Sequence, residues 1–204
     1  MSYSEFSLDK VVKTFDLTLA AKVKMFLDTP ELECSDQLIE TLDYNIPLAL
    51  ASNTEKSRSE MIITPILIEL RKQLEQSISL FSGVEFNVEP AQGLNGNCDF
   101  LISLSPELLL VTAPVVVIVE AKKENLNAGF GQCIAEMLAA KIFNEREGNK
   151  IKAIYGTVTT GSIWKFLKLE QQTIEIDLGE YFLNNVNKIL GILAYGVNES
   201  MTSS

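Results

Sequence analysis

Residues 115–119 read Val-Val-Val-Ile-Val, an apolar run with no polar alternation. A strand of this kind is buried on both faces, as in a sheet with helices on either side. The pattern predicts this central strand over residues 114–121. Before it, Val84, Phe86 and Val88 alternate with polar neighbours and predict a strand over 84–88. Residues 93–96 then form a turn, followed by a strand over Asn97–Ser103. After it, Leu126, Phe130, Cys133, Ile134, Met137, Leu138 and Ile142 recur at helical spacing across 125–145. Alanines at 128, 135, 139 and 140 fill much of the remainder. A helix this apolar around its circumference packs in the interior. Strands over 151–158 and 162–169, joined through Thr159-Thr160-Gly161, a third over 173–176 and an amphipathic helix over 180–194 complete the pattern.

Upstream, residues 7–15 predict a short helix with Ser7 as N-cap, and residues 35–42 another. The first 50 residues carry no recognisable chemistry and read as a helical cover of the same domain, whose core is residues 51–204. Residues 53–76 predict a long helix. Ser57-x-x-Glu60 fits a capping box at its start, and Pro65 kinks it or ends its first segment. The order of elements is that of an α/β or α+β sandwich around one mixed sheet.

Composition narrows the chemistry. The 204 residues contain no histidine, which excludes Ser-His-Asp hydrolysis, Cys-His proteolysis and His-ligated zinc. A general base must then be a carboxylate, a lysine or a metal-bound water. Cys34, Cys98 and Cys133 have no C-x-x-C spacing, so neither a zinc knuckle nor a disulfide framework is expected. No apolar run approaches the roughly 20 residues that span a bilayer, and residues 1–10 are polar. A soluble, cytoplasmic protein with no membrane association is expected. The net charge of −10 argues against nonspecific adhesion to nucleic acid but leaves room for a locally basic cleft.

The chemistry-bearing stretch is the end of the central strand, Glu120-Ala121-Lys122-Lys123-Glu124. Side chains alternate along a strand, so Glu120 and Lys122 share one face and Val119 and Ala121 the other. Asp99, near the start of the preceding strand, can be a neighbour across the ladder. Two carboxylates there would bind a hard cation such as Mg²⁺, with the Ala121 carbonyl as a further ligand. Lys122 would steer the attacking water or stabilise charge on a phosphate. A strand end that merely emerges into solvent would also become charged, and Lys123 and Glu124 read that way. Trp164 and Lys165 read either as an edge for nucleic acid or as an ordinary hairpin. Lys165 and Lys168 are too few for a phosphate-tracking surface.

Asp99, then Glu120-Ala121-Lys122, then a helix bearing Gln132 in "GFGQCIAEM" resembles the PD-(D/E)XK nuclease superfamily, including an uncharacterised bacterial branch with similar E, D, E-x-K and Q positions. The resemblance covers roughly residues 57–169. It implies a restriction-endonuclease-like α/β/α fold and a nuclease acting on DNA or RNA, with Mg²⁺ as cofactor and Mn²⁺ as substitute. Asp99 and Glu120 would be metal ligands, Lys122 and Gln132 would join them in catalysis, and Glu60 would be an acidic contribution from an early helix. Cys98 stands where the name-giving proline would be. Glu60 reads equally as the partner of Ser57 in the capping box, and Gln132 shares with Glu136 a stripe that would also suit a solvent-facing strip. A nuclease cutting both strands often needs two active sites, so a homodimer is among the expectations. Two rivals stand beside this reading. One is the same fold without turnover, acting as a binding or assembly module. The other is a metal-dependent hydrolase of another phosphate ester on an unrelated fold.

Overall fold

Val115–Ala121 (β4) runs through the interior of one open, mixed sheet, and all seven of its residues are buried. The computed structural model describes residues 1–201, with side chains through Ser200. Among the described residues the sheet has eight strands. The others are Thr18–Lys22 (β1), Ser79–Glu85 (β2), Asn97–Ser103 (β3), Ala153–Thr159 (β5), Ile163–Glu170 (β6), Thr173–Asp177 (β7) and Tyr181–Phe182 (β8). Their order is β1-β7-β6-β5-β4-β3-β2, with β8 paired to β6. β4 is antiparallel to β3 and parallel to β5.

The helices are Leu8–Thr14 (α1), Asp36–Ser52 (α2), Glu55–Arg58 (α3), Thr64–Gln73 (α4), Leu126–Arg146 (α5) and Val186–Met201 (α6). α5 lies on β4 and β5 and against α1, while α6 covers the same strands from the other side and packs on α4, which lies against β2. On the α6 side, Val117, Val119 and Ala121 meet Ile62, Ile66, Leu190 and Leu193. On the α5 side, Leu101, Ile118 and Val158 meet Cys133 and Met137. Fully burying one such aliphatic side chain is worth roughly 1.5–3 kcal/mol. This double cover is why β4 is uniformly apolar. The architecture is α/β around a mixed sheet. No helix among the described residues is long and apolar enough to cross a membrane.

Several elements differ from their expected form. The first 50 residues are not wholly helical, because β1 adds to the sheet edge parallel to β7. Thr-Leu-Ala-Ala-Lys is short and mostly exposed, so alternation could not announce it. β2 begins at Ser79, and residues 181–182 pair with β6 before the last helix starts at Val186. The predicted helix over 53–76 is three pieces. Its capping box is Thr54 with Ser57: Ser57 N–H donates to Thr54 Oγ1 at 3.0 Å, and Thr54 N–H to Ser57 Oγ at 3.3 Å. Ser57 is therefore the inner partner and Glu60 lies outside the box. A π-helical turn, Ser59–Ile63, separates α3 from α4, with Thr64 N–H reaching Ser59 O. Pro65 has no N–H for the Met61 carbonyl, and Asn45 Nδ2 donates to that carbonyl instead at 2.9 Å. The wider turn and this side-chain donor absorb the proline without breaking the helix direction.

Gly131 holds the N-terminal segment against α5. A Cβ there would collide with the Phe6 carbonyl and the Ser7 backbone. Gly131→Ala is expected to destabilise by at least the roughly 1–3 kcal/mol typical of overpacking, because backbone cannot rotate away as a side chain can. Thermal unfolding checks this, and an unchanged Tm would show that the segment shifts freely.

Candidate active site

Where β4 ends, the ladder to β5 continues for one more bond, Lys122 N–H to Thr159 O at 2.8 Å. Glu120 is only 1% exposed. Its Oε1 accepts from the Lys122 ammonium, and its Oε2 is buried with no partner. The two side chains lie on the same face, as a period of two requires. Lys122 also donates to Gln132 Oε1 at 3.4 Å, and Gln132 Nε2 donates to Glu136 Oε1 at 3.0 Å. Glu136 is fully buried and its Oε2 has no partner. Gln132 and Glu136 are thus not a solvent-facing strip: they run inward, linking Lys122 to the interior of α5. Gly129 permits this approach. A Cβ there would stand 2.6 Å from Val158 Cγ1 and 3.1 Å from Lys122 Cγ.

Asp99 lies across the β3–β4 ladder. The paired register ends at Phe100 with Val119, one residue short of Asp99 and Glu120. Its Oδ2 accepts from Ala121 N–H at 2.8 Å, so this carboxylate ends the ladder in place of a backbone carbonyl. Asp99 and Ala121 line a pocket of about 240 Å³ together with Glu55, Glu60 and Thr64. Glu60 is at the rim, largely exposed and 3.6 Å from Lys56. A larger cleft, about 650 Å³ and lined by Lys141, Lys150, Lys152 and Glu170, lies at the start of β5, at the other end of the sheet from these residues.

Burial, then the charge of Asp99, push the Glu120 carboxyl up to about 8 against the opposing effect of Lys122. Glu136 is pushed well above the usual carboxylate range, first by burial and then by Glu120. Burial pulls the Lys122 ammonium down, but the charge and hydrogen bond of Glu120 outweigh it and the net shift is upward. Burial above all raises the Cys98 and Cys133 thiols, which stay protonated within the core.

These shifts set a pH dependence. A carboxyl whose folded pKa is raised binds more protons in the native than in the unfolded chain, so stability falls as pH rises between the two values. For Glu120 that window runs from 4.5 to about 8, and Glu136 extends the slope upward. Glu69, lowered because hydrogen bonds from Gln73 and Ser35 outweigh its burial, acts only at more acidic pH. Without added metal, Tm is expected to fall steadily from pH 5 to pH 9. Thermal melts across that range test it, and a flat profile would show that neither carboxyl is perturbed.

The remaining candidates are not brought into the site. Trp164 is fully buried and donates to Gly161 O at 3.0 Å. Lys165 pairs with Glu180 at 3.6 Å and Lys168 with Glu170 at 2.8 Å, so this hairpin offers no aromatic and basic edge. Lys123 and Glu124 are exposed and 3.5 Å apart. One residue was read differently in the sequence, and one went unnoticed. Glu136 interrupts the run Ala135–Met137 four residues after Gln132, a spacing that only a turn of helix makes meaningful. Arg58 donates to Thr160 O at 3.0 Å and Ser162 Oγ at 3.1 Å, tying α3 to the β5–β6 turn. Its partners are too distant in sequence to be guessed.

Comparison with known proteins leaves these residues to speak for themselves: no family model and no curated protein matches the chain. Among the described residues, no three His, Cys, Asp or Glu side chains form a ready group of metal ligands.

Proposed function

We propose that this chain is a Mg²⁺-dependent phosphodiesterase acting on DNA or RNA, built on a restriction-endonuclease-like variant of its α/β fold, with Mn²⁺ as a substitute. The observation that carries the reading is Glu120. It is buried within reach of the charge of Asp99, one oxygen is engaged by Lys122, and the other has no donor. A buried unsatisfied carboxylate oxygen calls for a missing partner, and a cation is the partner that two carboxylates share. Mg²⁺ is commonly held by one or two carboxylates with retained waters and substrate phosphates, rather than by a closed cage of side chains. Asp99, Glu120 and the Ala121 carbonyl would hold it, with Glu60 at the rim. Bound there, the ion supplies a Lewis acid and lowers the pKa of a coordinated water.

The chain's own residues supply the rest. Lys122, 22% exposed, reaches from the buried Glu120 toward solvent and carries three N–H donors. Glu120 and Gln132 take two of them, which leaves one for a phosphate oxygen or the attacking water. The hydrogen bond to Glu120 holds the ammonium in place before substrate arrives, and it becomes an ion pair as the carboxyl ionises.

One observation favours the rival assembly module. Glu55, Glu60 and Asp99 around the pocket outnumber Lys56, a balance that repels a polyanion until metal is bound. The deciding experiment incubates the wild type with single-stranded, double-stranded and branched DNA and with RNA, in Mg²⁺, Mn²⁺ or chelator. Cleavage with either metal and none with chelator is expected. No cleavage of any substrate with either metal would reject the proposal and leave the binding module.

A further inference from the structure

Glu136 is an expensive residue in its position. It occupies the interior side of α5 with no exposed surface, it has one hydrogen-bond partner, and its second oxygen has none. A buried carboxyl satisfied on one side only costs stability relative to an apolar side chain of similar size. Its one partner is Gln132, and the partner of Gln132 is Lys122. The amide therefore sits between a group that only donates and a carboxyl oxygen that accepts. Oxygen toward the ammonium and nitrogen toward Glu136 is the orientation that serves both. Without Glu136, Gln132 would be held only by one 3.4 Å contact. That is a weak restraint on a side chain with up to about 2 kcal/mol of rotamer freedom to lose.

We propose that Glu136 is a positioning residue: it anchors the Gln132 amide nitrogen, and so holds the amide oxygen against the Lys122 ammonium. The purpose served by Lys122 rests on the phosphodiesterase reading; the relay Glu136–Gln132–Lys122 does not. With Glu120 on one side and the anchored amide on the other, the ammonium is fixed from two directions. Burial, which pushes the Glu136 carboxyl up, leaves the role intact, because the carbonyl oxygen of a neutral carboxyl still accepts from the amide.

The test reads the Lys122 ammonium directly, by its side-chain nitrogen–proton NMR signal in the metal-free full chain, assigned by its loss in Lys122→Arg. Glu136→Met keeps the volume and removes the acceptor; Glu136→Leu serves if the methionine variant does not fold. Glu136→Gln keeps an acceptor oxygen. The apolar variant is expected to shift the Lys122 signal and speed its exchange with water, as Gln132→Leu does. Combined with Gln132→Leu it should add nothing further, and Glu136→Gln should preserve the wild-type signal. A purely structural role for Glu136 would give additive effects. A Lys122 signal indifferent to the apolar variant, an additional shift in the double variant, or loss of the signal in Glu136→Gln would each overturn the inference. In an active enzyme the apolar variant lowers kcat with KM unchanged. Absence of cleavage in the wild type overturns the phosphodiesterase reading alone, because the NMR comparison needs no turnover.

Discussion

Lys122→Ala is expected to cost at least about a hundredfold in phosphodiester cleavage while leaving a folded, metal-binding protein. Positioned proton-transfer and charge-stabilising groups contribute roughly 10²–10⁴ to rate. Lys122 is placed for that work by Glu120 and Gln132. Removing one partner of a buried ion pair is ordinarily severe, because the other is left charged and unpaired. Here the damage is contained. Glu120 is already pushed up to about 8 with the lysine present, so without it the carboxyl takes up a proton near neutral pH and is no longer a bare buried charge. The variant should therefore resemble the wild type in stability at pH 6 and fall behind it at pH 9. Metal binding is expected to persist at pH 8–9 and to weaken toward pH 6, because the proton taken up by Glu120 competes with the ion. Single-turnover cleavage, calorimetric Mg²⁺ titration and melts at both pH values measure the three effects. Retention of most of the cleavage rate would remove Lys122 from the reaction.

Asp99→Asn should abolish cleavage together with the response to metal. Asparagine keeps a carbonyl oxygen for the Ala121 N–H, which Asp99 holds at 2.8 Å, and removes only the charge. In the wild type, millimolar Mg²⁺ should raise Tm at neutral pH, since a ligand that binds only the native state stabilises it by mass action. That rise should vanish in the variant. Its metal-free Tm at pH 8 should exceed that of the wild type, because a neighbour that raises the Glu120 pKa has lost its charge. Considered as repulsion alone, Asp99→Ala would be equally harmless to metal-free stability. The structure reverses that expectation: alanine strands the Ala121 N–H at a cost of about 1–3 kcal/mol. A wild-type Tm unmoved by millimolar Mg²⁺ and Mn²⁺ would count against a metal site at Asp99 and Glu120.

The sequence by itself determined the elements whose signal is local. The unbroken run of β4, the strand Asn97–Ser103 and the helical spacing through α5 needed no partner to be read, because burial on two faces or around a whole helix leaves almost every position apolar. A period of two likewise set Glu120 and Lys122 on one face. Tertiary structure decided what depends on residues remote in the chain. β1 is a strand only because the edge of β7 is there to receive it. The helix around Pro65 continues because Asn45 supplies the missing donor to Met61. Glu136 looked like a solvent residue, since a polar side chain in an apolar stripe has the same sequence signature whether it faces water or a buried amide. Asp99 looked like a charge awaiting a cation, and its bond to Ala121 N–H was invisible until β3 met β4 in register. Periodicity records which face a side chain occupies. It carries no information about what stands opposite, and for buried polar groups the partner opposite sets the energy.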